Sequence, residues 1–238
     1  MLRQIGRAFL KPFQIQVFVF FLCSFCFAQK AKLLVTHIPP FLVVEGDSAR
    51  GPVYDKMMEI MEDSELEFSL RIVPHSRLFQ ELKTVPNTVT ILSYSQERDS
   101  LFHWVDRVLP NIEAWLWKEK EAKLPEIKSF HELTPFRLGV IRNDLFQQKL
   151  LAQGNFKEGE NLFPGITLEE NIRKLLSNRI DFSIFEPRML ASELQRMGLP
   201  KESLSKVFLI EKISPHLVVN KKSSPQLIEK LRRAVVKN

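Results

Sequence analysis

Cysteine is nearly missing from this chain of 238 residues: Cys23 and Cys26 are the whole supply, and both lie within the first 28 positions. If that segment is removed, disulfides, thiolate metal sites and cysteine nucleophiles are excluded together. Glycine is also scarce, at eight residues, which argues against long flexible linkers. No phosphate-binding glycine loop, no G-x-S-x-G elbow and no G-x-G-x-x-G fingerprint occurs. The five histidines, His37, His75, His103, His131 and His216, stand apart from one another, and none has a second ligand type at zinc spacing. Each reads as a surface or loop side chain, and neither a metal nor a cofactor is expected. No internal repeat or low-complexity tract is present.

A large charge excess is absent as well. The net charge of +6 includes Arg3, Arg7 and Lys11, and residues 1–28 hold no acid. Setting these three aside leaves 31 of the 34 basic residues against 28 acidic ones, or +3. That balance gives little reason to expect nucleic-acid binding. The basic stretch 230–237 lacks the aromatic residues that stack on bases.

What is there begins with an address. The three basic residues precede an apolar run over residues 17–28 broken only by Ser24. This is the pattern of a secretory signal peptide. The run is shorter than the ~20 residues that span a bilayer. Cys26-Phe27-Ala28 places small residues at −3 and −1, so cleavage is expected before Gln29, with the mature protein in the periplasm. An uncleaved anchor is the alternative. Lipid attachment is disfavoured because Leu22 and Phe25, not small residues, precede the cysteines. No second apolar span follows.

Beyond the leader, apolar runs alternate with amphipathic stretches. Strands are predicted at 32–37, 68–73, 88–92, 111–118, 137–142, 180–185, 206–211 and 216–220. Helices are predicted at 52–63, 76–83, 144–153, 167–178, 187–197 and from Pro225 onward. Asp144 is the expected N-cap of the helix at 144–153, with Gly154 its expected stop. Thr167 and Glu170 fit a capping box. Strand–helix alternation predicts an α/β fold with mainly parallel sheets, dividing into two blocks near residues 112–120 and 205–213.

One group of residues suggests chemistry. Ser93-Tyr94-Ser95-Gln96-Glu97-Arg98 follows directly on the strand at 88–92. In open α/β sheets ligands bind beyond the carboxyl ends of strands. Two hydroxyls and an arginine there can hold a carboxylate, since the planar guanidinium matches both oxygens. Glu186 follows the strand at 180–185 in the same way and can face an amine. The two groups fall in different blocks, so a zwitterion can bridge them. The alternative is a surface arginine paired with Glu97 or Asp99. Trp115 and Trp117, with Tyr94 and Phe41, are candidates for stacking on a ligand, the tryptophans being equally readable as core or hinge packing.

The order of these segments resembles the family 3 extracellular solute-binding proteins, which serve polar amino-acid ABC transporters. The resemblance is carried by Leu33-Leu34-Val35, Pro39-Pro40-Phe41, Gly51-Pro52-Val53-Tyr54-Asp55, Pro74-His75-Ser76-Arg77 and Ser93-Tyr94-Ser95-Gln96-Glu97-Arg98-Asp99. It continues through Leu138-Gly139-Val140, the stretch 175–181, Glu186 and the stretch 216–221. It implies a two-lobe, type II periplasmic-binding-protein-like fold, with residues 29–112 and 213–238 in one lobe, 113–212 in the other, two hinge strands and a cleft between. It implies that Arg98 grips a ligand carboxylate, that Glu186 receives its amine, and that Phe41 and Ser93 line the first lobe's side; Ser95, Tyr94, Arg77 and Arg142 complete the expected site. Glu186 stands where an aspartate is usual. Arg142-Asn143-Asp144 stands where the family has a small Gly/Ser/Thr-rich turn, so Arg142 would add positive charge while Asp144 would oppose an anion. The expected function is binding by hinge closure of an amino acid or related carboxylate, without catalysis, by a monomer that delivers its ligand to an inner-membrane permease. Sensing through a membrane receptor, and a dehydratase-like activity on the same scaffold, are the alternatives.

Overall fold

The computed structural model describes residues 30–237. The expected leader, its cleavage point after Ala28 and both cysteines lie outside the described residues. The chain forms, in order, β1 (Ala31–Val35), a hairpin of β2 (Val43–Glu45) and β3 (Ser48–Arg50), α1 (Pro52–Asp63), β4 (Phe68–Ile72), α2 (His75–Thr84) and β5 (Thr88–Ser93). A 3-10 turn (Gln96–Leu101), β6 (Phe102–Arg107), β7 (Ile112–Glu119), β8 (Leu138–Ile141), α3 (Leu145–Ala152) and β9 (Leu162–Gly165) follow. The chain ends with α4 (Leu168–Leu176), β10 (Phe182–Phe185), α5 (Pro187–Arg196), β11 (Leu204–Ile213), β12 (Pro215–Asn220) and α6 (Pro225–Lys237).

Two five-stranded sheets result, ordered β4-β1-β5-β12-β6 and β11-β7-β10-β8-β9. In the first, β4, β1 and β5 are parallel, while β12 is antiparallel to both β5 and β6. In the second, β10, β8 and β9 are parallel, and β7 is antiparallel to β10 and β11. The expected α/β class holds, but its parallel pairing covers only the strands joined through helices. The antiparallel half comes from strands around the crossings between sheets, where β6 leads to β7 and β11 leads through Ser214 to β12.

Strand alternation explains why both sheets are covered on both faces. Leu33 and Val35 of β1 pack with Met57, Ile60 and Met61 of α1 and Leu227 and Leu231 of α6. Leu34, between them, faces the other way onto Leu78 and Leu82 of α2. In the second sheet Phe182 and Ile184 of β10 pack with Leu145, Phe146 and Leu150 of α3. Phe185 joins the opposite cluster with Ile172 and Leu175 of α4 and Leu190 and Leu194 of α5.

The foreseen caps form, one with a shift. Asp144 accepts a hydrogen bond from the Gln147 N–H at 2.8 Å. Thr167 accepts from Glu170 N–H, but the Glu170 carboxylate reaches the Ile166 N–H, one residue earlier than a capping box requires. The hairpin β2–β3, β6 and β9 escape the sequence reading. β9 (Leu-Phe-Pro-Gly) reads as a loop, yet it lies at a sheet edge, where a proline without an N–H is tolerated.

Gly51 sits immediately before α1 with φ +112°, and a Cβ there would come within 2.7 Å of the Phe41 carbonyl oxygen. That carbonyl already accepts from Val53 N–H, so it is not free to move. Gly51→Ala is expected to cost about 1–3 kcal/mol of stability through backbone strain and this clash, read as a lower urea midpoint; an unchanged midpoint would show that the loop adapts without cost.

Candidate functional site

A cavity of about 1130 Å³ is walled by residues of both sheets and their helices. Its first-sheet wall includes Ile38, Phe41, His75, Phe79, Ser93 and Arg98, and its second-sheet wall includes Asn143, Asp144, Phe146, Ile166, Glu186 and Met189. Most of its surface is apolar. A second hollow of about 480 Å³ near Glu119, Arg137 and Asp181 is polar, and Arg137 and Asp181 there form a tight ion pair at 2.6 Å.

Arg98 is the central group. It is carried by the 3-10 turn after β5, and only 3% of its surface is accessible. Its guanidinium carbon lies 5.2 Å from the centre of the Phe79 ring, a cation–π contact. Its Nε donates to Gln148 Oε1 of α3 at 2.9 Å, so the turn on the first sheet is tied to a helix on the second. No protein hydrogen bond to its two terminal nitrogens is found among the described residues. Burial pulls the guanidinium's pKa down to about 10, against the nearby Asp144 and Glu97 charges, so it stays cationic at neutral pH.

Asp144 faces the same cavity from the second sheet. The residue is half-buried and lines the cavity. Burial pushes its carboxyl up to about 6, partly offset by backbone N–H groups at the start of α3 and by the Arg98 charge. No cation lies within 4.0 Å of it among the described residues. His75 lines the wall beside Arg98; burial first, and the Arg98 charge second, hold its imidazole below the ordinary value. It is therefore neutral at pH 7, and its Nδ1 is buried without a hydrogen-bond partner among the described residues.

Of the eight residues expected in the site, Arg98, Ser93, Phe41 and Glu186 line the cavity, and Ser95, Tyr94, Arg77 and Arg142 do not. The reasons are local. Tyr94 follows Ser93 in extended chain and so turns to the opposite side, packing edge-on against Trp104 and donating to Asp99 at 3.3 Å. Ser95 is buried at the start of the 3-10 turn, where its carbonyl accepts from Arg98 N–H at 3.1 Å while its hydroxyl has no partner of ordinary geometry among the described residues, although it contributes to holding the Glu97 carboxyl low. Arg77 is off the His75-Leu78-Phe79-Leu82 stripe of α2 and is exposed. Arg142 follows Ile141 out of the sheet and turns toward Glu158, 3.9 Å away, while the left-handed Asn143 (φ 62°) brings Asn143 and Asp144 back to the cavity.

Glu186 reaches the cavity wall but is engaged there. One carboxylate oxygen caps α5 by accepting from Met189 N–H at 2.8 Å, and the other accepts from Arg188 Nε at 2.8 Å. Arg188 in turn lies 4.5 Å over the Phe41 ring. Glu186 is thus in the cavity wall as expected, with both of its carboxylate oxygens already hydrogen-bonded. The tryptophans follow the packing alternative: Trp117 is in the second core and donates to the Phe185 carbonyl, and Trp115 donates to Glu113. His75, Phe79 and Gln148 are site residues that the sequence reading did not select. The stripe spacing of α2 would have grouped His75 with Phe79, whereas Gln148 had no local signal.

No family model matches this chain, and no curated protein is recognisably similar to it in sequence. Solved structures are similar in fold. A histidine kinase sensor domain with similarity to periplasmic binding proteins aligns with a TM-score of 0.74 and 14% identity, covering 88% of this chain and 90% of that one. The arginine-, lysine-, histidine-binding protein ArtJ of Geobacillus stearothermophilus gives 0.68 and 18%, covering 88% and 89%. The arginine-bound form of truncated ArgBP from T. maritima gives 0.67 and 14%, covering 87% and 95%. The chain has the two-lobe α/β fold of periplasmic binding proteins.

Asp144 carries a stability consequence. Burial holds its carboxyl at about 6 in the folded state, above the ordinary 3.8, so the folded state keeps a proton that the unfolded state has lost between these values. Stability from this group therefore falls as pH rises through that window and stays lower above it. The charged group nearest to it in effect is Arg98, which Glu97 also faces; the titratable His75 beside Arg98 is neutral. Asp144→Asn keeps a good N-cap and is expected to raise the stability of the empty protein at pH 7.5 by about 1–3 kcal/mol, with little effect at pH 4. Urea denaturation at the two pH values checks this; equal effects at both would refute a buried, destabilised carboxylate.

Proposed function

We propose that the protein is a periplasmic solute-binding protein that holds a small charged molecule, an amino acid or a related carboxylate, between two lobes and closes on it about a hinge. The lobes are residues 29–112 with 213–238, and residues 113–212. The observation that carries this reading is the Arg98 guanidinium, buried in the cavity wall with its terminal nitrogens free of protein hydrogen bonds among the described residues. Leaving such a cation desolvated and unpaired is costly, and a ligand carboxylate relieves that cost by a bidentate contact.

Closure follows from the placement of contacts on both lobes. A ligand touching both favours the closed arrangement by its differential contacts alone. Arg98 to Gln148 and Arg188 over Phe41 are contacts that closure would make or break. The cavity volume of about 1130 Å³ is just above the ~300–1,000 Å³ usual for small-molecule sites, which supports room for a side chain or retained water around one amino acid. The expected leader supports export. Delivery to an inner-membrane ABC permease is the favoured outcome. Signalling to a membrane receptor is the second reading, favoured by the fold shared with a histidine kinase sensor domain. A binding role rather than catalysis is supported by the engagement of Glu186, the acid on which a dehydratase-like reading depended.

The test is a thermal-shift screen of the purified protein against the twenty standard amino acids and a set of small carboxylates, since a ligand of the native state raises its melting temperature. For the best hit, calorimetry on Arg98→Ala should show a loss of about tenfold to 150-fold in affinity, the worth of a charge-assisted hydrogen bond. Arg77→Ala and Arg142→Ala should stay within about twofold of the parent. An unchanged affinity in Arg98→Ala would remove Arg98 as the anchor.

A further inference from the structure

Two opposite charges face the cavity from opposite lobes without touching each other. Arg98 stands on the first-sheet side and Asp144 on the second-sheet side, both in the cavity wall, and no ion pair within 4.0 Å joins them among the described residues. Neither has a counter-ion in contact among the described residues. No hydrogen bond among them reaches the terminal nitrogens of Arg98, and the Asp144 carboxylate is met by backbone N–H groups at the start of α3, that of Gln147 at 2.8 Å, but by no cation within 4.0 Å.

The other acids along this wall are occupied. Glu186 is divided between Met189 N–H and Arg188. Glu169 pairs with Arg173 and Arg196, and Glu193 with Arg196. A ligand ammonium arriving at any of these would have to displace a cation already in place. At Asp144 it would displace none.

We propose that Asp144, not Glu186, receives the α-amine of the ligand, so that the cavity selects a zwitterion whose carboxylate meets Arg98 and whose ammonium meets Asp144. This rests on the binding function proposed above and names its specificity-determining residue. A carboxylate without an amine would gain Arg98 and suffer the like charge of Asp144; an amine without a carboxylate would gain Asp144 and suffer that of Arg98. Selection of this kind works as much by repulsion as by attraction. The raised carboxyl of Asp144 is consistent with an acid that awaits a cation.

The experiment takes the amino acid that gives the largest thermal shift among the twenty, together with its des-amino acid and its decarboxylated amine, at pH 7.5. Calorimetry with the parent protein should show the amino acid binding at least about tenfold more tightly than either truncated compound. Asp144→Asn, which retains the helix cap, should remove most of the advantage over the des-amino acid. Glu186→Gln should leave that advantage within about threefold. A des-amino acid that binds the parent as tightly as the amino acid would overturn the assignment while leaving the binding function and Arg98 intact. So would a loss of the advantage in Glu186→Gln with none in Asp144→Asn. A bare amine binding as tightly as the amino acid would overturn the paired recognition. If no standard amino acid binds, the assignment fails, and the small-carboxylate set decides whether the broader binding function survives.

Discussion

The site depends on one desolvated guanidinium. Arg98 is held by its turn at 3% exposure, lies over Phe79 and spends a single N–H on Gln148. A core built for stability alone would have paired it with a carboxylate in contact, or replaced it with an apolar residue. Here the opposite charge is kept near but apart. The effect is a cavity with strong unspent polarity at two points and an apolar surface elsewhere, as expected where orientation comes from a few polar groups and bulk from apolar walls.

The fold places these points by simple means. Parallel strands joined through helices bring the ends of β5 and β8 to the cavity, and the chain leaving each strand carries a charged residue: Arg98 in the 3-10 turn, Asp144 at the cap of α3. Because the two residues belong to different sheets, their separation is set by how the sheets sit relative to one another. A ligand that satisfies both therefore acts on that relation directly. Arg188 over Phe41 and the packing of Met189 on the first core are further contacts across the same divide, made by the start of α5.

Glu186 shows how a residue in an expected place can also carry a structural task. It caps α5 and holds Arg188, which makes it part of the wall's architecture. Residues 142–144 show the converse. The sequence presents three polar side chains in a row, and the left-handed Asn143 decides which of them face the cavity.

Much of the fold was legible from the chain. Apolar runs with amphipathic stretches between them located the helices and most strands, and caps such as Asp144 and Thr167 marked helix starts, because these are local preferences that neighbouring residues set among themselves. Edge strand β9, the hairpin and β6 were not legible, since their pairing partners, and not their own patterns, make them strands. Arg98 and Ser93 could be selected from position relative to a strand end, and Phe41 from the resemblance. What the tertiary structure alone decided was orientation and occupancy: that Tyr94, Arg77 and Arg142 turn away, that Glu186 is already bonded, and that Gln148 reaches Arg98 from 50 residues away. Such facts depend on distances between segments remote in sequence, which no local pattern encodes.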